Sequence, residues 1–126
     1  MNIVLSNASD DPIYVQIVRQ VRAAILGGEL RPGQSLPSIR QLAKDLQISV
    51  ITTKRAYEEL ESEGLIDSVV GKGSFVSDAH TERIREKRRR QLAEKLAGAA
   101  AESRALGIGF EELAEMIKLQ YDKEER

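Results

Sequence analysis

Residues 38–76 set the strongest constraint on this fold: two short amphipathic helical patterns, a tight break between them, then two apolar stretches around Gly71-Lys72-Gly73. In the first pattern Ile39, Leu42, Ala43 and Leu46 recur at i, i+3, i+4 and i+7, the spacing of a helix with one buried stripe. Ser38 precedes it as an N-cap, and Gln41, three residues on, is placed to complete a capping box. After Gln47 and Ile48, Ser49 can cap a second helix over about residues 50–63, and Gly64 can end it in a left-handed conformation. Helices joined by so short a turn must cross steeply. The glycines at 71 and 73 supply positive φ between strands predicted at 65–70 and 74–76. The order is that of a winged helix-turn-helix.

Angular position divides the second helix into faces. Each residue advances by roughly 100°, so Thr53, Ala56, Tyr57 and Leu60 share a core stripe. Ile51 and Arg55 lie nearly opposite it, with Thr52 and Lys54 on the flanks. All four belong to the first two turns, which in this motif enter the major groove, and they are the candidate base contacts. Ser49 stands at the N-terminus of the same helix, beside free N–H groups suited to a phosphate. On the preceding helix Arg40 and Lys44, four apart and outside the apolar stripe, can grip the DNA backbone. Lys72 sits at the hairpin tip, placed for a phosphate or the minor groove; a plain surface hairpin is the competing reading. Gly71-Lys72-Gly73-Ser74 is not a nucleotide-binding loop. That motif needs a glycine five residues before the Gly-Lys pair and Ser or Thr directly after it, where this chain has Ile66 and Gly73.

Asp11-Pro12-Ile13-Tyr14, Gly33-Gln34-Ser35-Leu36-Pro37-Ser38-Ile39-Arg40, residues 52–60 and residues 64–76 together resemble the DNA-binding domain of GntR-family bacterial transcription regulators. The short C-terminal region is similar to that of the YtrA-like subfamily, with a small helical dimerisation region in place of a large ligand-binding domain. Carried over by position, the resemblance implies DNA contacts from Arg40, Thr52, Lys54, Arg55, Lys72 and Gly73. It also implies a dimeric repressor, often of an operon encoding membrane transporters. The chain departs from the family pattern at three places: Gln47 where glycine is usual, Val50 and Ile51 where polar residues are common, and Val69-Val70 in place of a basic pair in the wing.

At 126 residues the sequence is sized for one compact domain plus an accessory segment, and a large enzyme is excluded. It has no cysteine and one histidine, His80, so neither a disulfide framework nor a histidine-pair metal site can form. No nucleophile–base pair stands out either, and neither a cofactor nor an enzymatic activity is expected. Nothing near Met1 reads as a signal peptide, and no segment approaches the roughly 20 apolar residues of a membrane span. A soluble, cytoplasmic protein is the expectation. The net charge of −1 argues against indiscriminate nucleic-acid binding. Its distribution matters more: Glu58, Glu59, Glu61 and Glu63 load the far end of the second helix, while Lys54 and Arg55 occupy its entering turns.

Asp11-Pro12 reads as N-cap and first residue of an N-terminal helix with the stripe Tyr14, Ile17, Val18, Val21 and Ile25, ended by Gly27-Gly28. Tyr14 and Tyr57 are assigned to packing. Residues 2–10 are a loose arm or a packing strap. Residues 78–81 form a polar hinge, followed by a long helix over about 81–106. Its basic run of Arg83, Arg85, Lys87, Arg88, Arg89 and Arg90 is either a solvated face, with Glu82 and Glu86 making local pairs, or a clamp on the DNA backbone. Gly107 stops that helix, and Gly109 caps a last one with Glu112 at N3 and Ile108 stapled onto Leu113.

The last helix carries Phe110, Leu113, Ala114, Ile117 and Tyr121 on one side, flanked by Met116 and Leu119. A helical hairpin buries only part of such a surface. Leu92, Leu96, Phe110, Leu113, Ile117 and Tyr121 are therefore candidate contacts to a second subunit; a ligand pocket between the helices is the alternative. The fold expected is mostly α with a small β wing: a winged helix-turn-helix over residues 1–77 and a helical dimerisation hairpin over 78–126. The function expected is a dimeric, sequence-specific regulator, a repressor of its own operon, bound to a palindromic double-stranded operator. The rival is a winged-helix module for RNA or a protein partner, without operator specificity.

Overall fold

A computed structural model describes residues 1–124. The elements run α1 (Ile13–Leu26), α2 (Ile39–Leu46), α3 (Val50–Ser62), β1 (Ile66–Val69), β2 (Gly73–Val76), α4 (Thr81–Ala105) and α5 (Phe110–Glu124). The chain divides into two compact units, Met1–Arg85 and Glu86–Arg126.

In the first unit α3 packs against α1 and α2. The core is built from Ile17, Val21 and Ile25 of α1, Leu42 of α2, Ala56, Tyr57 and Leu60 of α3, and Leu65, Ile66 and Val76 around the strands. Each large side chain fully withdrawn from water there contributes about 1.5–3 kcal/mol. At the far end of α3, Arg22 Nε and Nη2 donate to the two carboxylate oxygens of Glu63, each at 2.8 Å. The hydrogen bond to Glu63 raises the Arg22 pKa, and this two-pronged pair ties α1 to the end of α3. Tyr57 donates its hydroxyl to the Pro37 carbonyl at 2.7 Å, and burial raises its pKa to about 12. That bond fixes the segment leading into α2 against α3.

Three local expectations shift. Helix α1 begins at Ile13 after Pro12, with no side-chain cap; the Asp11 carboxylate instead accepts from Arg19 Nη1 at 2.6 Å. At α2, Ser38 Oγ accepts from the Gln41 N–H at 3.0 Å, while the Gln41 side chain donates to Asp45. Only half of the capping box forms. Residues 78–81 end in an ordered anchor, because Thr81 is buried and donates to the Ser77 carbonyl at 2.6 Å. Arg85 Nε donates to the Leu26 carbonyl at 2.8 Å, and Ile84 packs on the core, so the start of α4 belongs to the first unit. The N-terminal residues are a strap. Gln20 bonds both backbone groups of Val4, the buried Gln16 bonds both of Ser6, and Ile3 and Leu5 pack on the core.

Gln47 ends α2 at φ 56°, the one residue other than glycine with positive φ among those described. A side chain there costs about 1–2 kcal/mol of backbone strain, partly offset because glycine loses more entropy on folding. Gln47→Gly should therefore raise the unfolding free energy by about 0.5–1 kcal/mol, read as a higher urea midpoint at unchanged slope. A lower midpoint would show that the Gln47 side chain stabilises the turn.

The second unit is a helical hairpin. Gly107 adopts φ 73°, and Ser103 Oγ donates to the Ile108 carbonyl at 2.8 Å, which together close the α4–α5 turn. The Leu113 N–H donates to the Gly109 carbonyl, so Gly109 opens α5.

Candidate nucleic-acid interface

The N-terminal turns of α3 are shaped by Ser49. Its Oγ accepts from the Thr52 N–H at 3.0 Å and its hydroxyl donates to Thr52 Oγ1 at 2.8 Å. Its carbonyl takes both the N–H and the hydroxyl of Thr53. Thr53 is buried under this cap, Thr52 is half-buried, and Lys54 and Arg55 are exposed. Ile51 is 81 % exposed, and Val50 beside it is 47 % exposed. An isoleucine so open at the start of a helix contributes nothing to the core. In a major groove it offers an apolar contact of the kind that thymine methyl groups accept.

Arg40 and Lys44 are exposed on α2. The wing is the antiparallel pair Ile66–Val69 and Gly73–Val76, in the register Ile66↔Val76 through Val69↔Gly73. A third short segment holds it. The Leu36 N–H donates to the Ser74 carbonyl, the Val76 N–H to the Gln34 carbonyl and the Gly33 N–H to the Val76 carbonyl. The wing is thereby laced to the chain entering α2, and a groove lined by Ser38, Ile39, Val69, Val70, Gly71 and Gly73 lies between them. Its tip is a turn closed by the Lys72 N–H on the Val69 carbonyl at 2.9 Å, with Gly71 at φ 79° and Gly73 at φ 102°. Lys72 and Val70 stand in solvent there. The acidic side chains Glu58, Glu59 and Glu61 are exposed towards the other end of α3.

Residues 13–76 match the family described as bacterial regulatory proteins, gntR family. The chain belongs to that family. Its activity at the coarsest level is DNA-binding regulation of transcription. Among its relatives, the HTH-type transcriptional repressor YtrA of Bacillus subtilis (strain 168) is 34 % identical over 110 residues, covering 87 % of this chain and 85 % of the relative. The structure of a GntR family transcriptional regulator from Listeria monocytogenes superposes with a TM-score of 0.67 at 31 % identity, over 90 % of this chain and 97 % of that one. A structure of AraR(DBD) in complex with operator ORX1 aligns with a TM-score of 0.54 at 28 % identity, over 61 % of this chain and 96 % of that one.

One arrangement in this GntR-family chain is invisible in local sequence. The Arg55 guanidinium lies over the ring of Tyr14, with Cζ 3.8 Å from the centroid, and Nη2 donates to the Tyr14 hydroxyl at 3.1 Å. Tyr14 is half-buried and packs on the core, as its place in the α1 stripe predicts, but its hydroxyl and one ring face are turned to this arginine. The two residues are 41 positions apart, and only the packing of α1 on α3 brings them together. In the basic run of α4, Arg85 is committed to Leu26 and to Glu82, 3.6 Å away. Among the described residues, no helix is long and apolar enough to cross a membrane.

Proposed function

We propose that this protein is a dimeric, site-specific repressor acting in the cytoplasm on its own operon. Two winged helix-turn-helix units over residues 1–77, each with the start of α4 packed on it, would occupy the half-sites of a palindromic operator, joined through the remainder of residues 78–126. The observation that carries the reading is the open face at the start of α3, where Ile51, Lys54 and Arg55 face solvent beside a capped helix N-terminus. Arg55 and Ile51 would read base edges; Ser49 and Thr52 would lie against a phosphate at the helix N-terminus. Arg40, Lys44, Lys72 and Gly73 would hold the backbone and the wing contact. The repressor activity named for the Bacillus relative supports the sign of regulation.

The dimer is supported by the apolar surface of the hairpin. Phe110 is 82 % and Tyr121 69 % exposed, and Leu92, Leu96, Met116, Ile117 and Leu119 are also open to water. Leu113 is half-buried and lines one hollow of the hairpin together with Ile108. So many large apolar side chains on one short unit exceed what an isolated hairpin leaves in solvent. A two-fold pairing that covers them also supplies the symmetry of a palindrome.

Selection by the full chain from a randomised duplex pool tests the reading. It should enrich an inverted repeat with half-sites about one helical turn, or a multiple of it, apart. Recovery of no common sequence, or equal retention of single-stranded RNA, would contradict it. Changing Arg88, Arg89 and Arg90 together to Glu then decides the role of the basic run. If the run is a solvated face, the slope of log K against log salt should barely move. If it is a clamp, the slope should fall by about 0.9 for each phosphate that the variant no longer neutralises.

A further inference from the structure

We propose that Tyr14 is a positioning residue for DNA recognition, holding the Arg55 guanidinium ready for the base edge it reads. This rests on the reading of Arg55 as a base contact. Arginine carries five N–H donors in a planar fork, and the Tyr14 hydroxyl takes one of them, from Nη2. The donors that remain are enough for a bidentate contact to a purine. The ring covers one face of the guanidinium at 3.8 Å, where its negative quadrupole attracts the charge without using any donor. Tyr14 is itself fixed: α1 is packed on α3, and Tyr14 lies against the core cluster. A long, exposed side chain on the groove-facing helix is thus confined by a rigid platform on a different helix. The loss of freedom that DNA binding requires of Arg55 is partly met during folding.

The opposite role, in which Tyr14 withholds Arg55 from DNA, predicts the opposite sign. Full-length wild type, Tyr14→Leu, Tyr14→Phe, Arg55→Ala and the Tyr14→Leu/Arg55→Ala double variant are compared by thermal melting and by titration. The probe is a duplex recovered by the wild-type chain from a randomised pool. Each base pair of one half-site is also substituted in turn.

Tyr14→Leu should weaken binding about 3- to 10-fold, and Tyr14→Phe, which keeps the ring and loses the hydroxyl, by less. In the Arg55→Ala background Tyr14→Leu should have almost no further effect. Discrimination should relax at the same base pairs for Tyr14→Leu as for Arg55→Ala, which a merely structural role for Tyr14 would not produce. Tyr14→Phe, expected to melt close to wild type, carries the same test if Tyr14→Leu is unstable. The proposal is overturned if Arg55→Ala loses affinity while both Tyr14 variants bind as wild type does or more tightly. It is equally overturned if Tyr14→Leu weakens binding by the same factor with and without Arg55. If Arg55→Ala binds as wild type does, the reading of Arg55 itself fails, and the positioning role fails with it.

Discussion

A chain ending at residue 90 should sediment as a folded monomer and lose about two to four orders of magnitude in operator affinity. The cut falls beyond the first compact unit, which runs through Arg85 and contains the whole apolar core around α1, α2, α3 and the wing. An earlier cut, after residue 76, would remove Thr81, Ile84 and the Arg85 bond to Leu26, all of which pack the first unit. The truncated chain lacks the exposed apolar side chains of α4 and α5 that the proposed dimer covers. Two half-sites held by one dimer bind with a high effective concentration for the second contact, and a monomer forgoes that factor of about 10²–10⁴. Sedimentation velocity reads the assembly and a gel-shift titration reads the affinity. A truncated chain that stayed dimeric would move the interface into the first unit.

Arg55→Ala should reduce affinity for the selected operator about 5- to 150-fold and leave affinity for random duplex nearly unchanged. A bidentate arginine–guanine contact discriminates by about 1–3 kcal/mol, whereas a phosphate contact acts on every sequence alike. The melting temperature should fall little, because Arg55 is exposed and its contact to Tyr14 is a surface one. Lys72→Ala, at the wing tip, should instead weaken operator and random duplex by similar factors. Equal losses at both duplexes for Arg55→Ala would make it a phosphate contact and leave Ile51 and Lys54 as the candidate readers.

The helix-turn-helix was legible because its signals are local. Ser38 and Ser49 cap the two helices, the stripe Thr53, Ala56, Tyr57 and Leu60 is buried, and Gly64, Gly71 and Gly73 take positive φ where the turns require it. The gntR-family match and the structural relatives bear out the fold and the membership that the motifs implied. What could not be read depended on which partner each polar side chain takes once the chain is folded. Asp11 and Pro12 have the composition of a helix start, yet the Asp11 carboxylate is drawn to Arg19. Residues 78–81 look like a polar hinge, but Thr81 is buried once its hydroxyl finds the Ser77 carbonyl. Tyr14 sits on a core stripe, and periodicity cannot tell which polar group waits beside its hydroxyl. Gln47 reverses the lesson: the turn demands a left-handed residue whatever the sequence supplies, and here it holds glutamine there.

A protein that reads DNA through the exposed face of α3 must distinguish one duplex sequence from others. The most direct measurement is the ratio of affinities of the full-length protein for its selected duplex and for a scrambled duplex of equal length, at physiological salt. The ratio should be about 10³ or more and should fall substantially in Arg55→Ala. A ratio near one, with both affinities dropping steeply and equally as salt rises, would show binding by charge alone and contradict it.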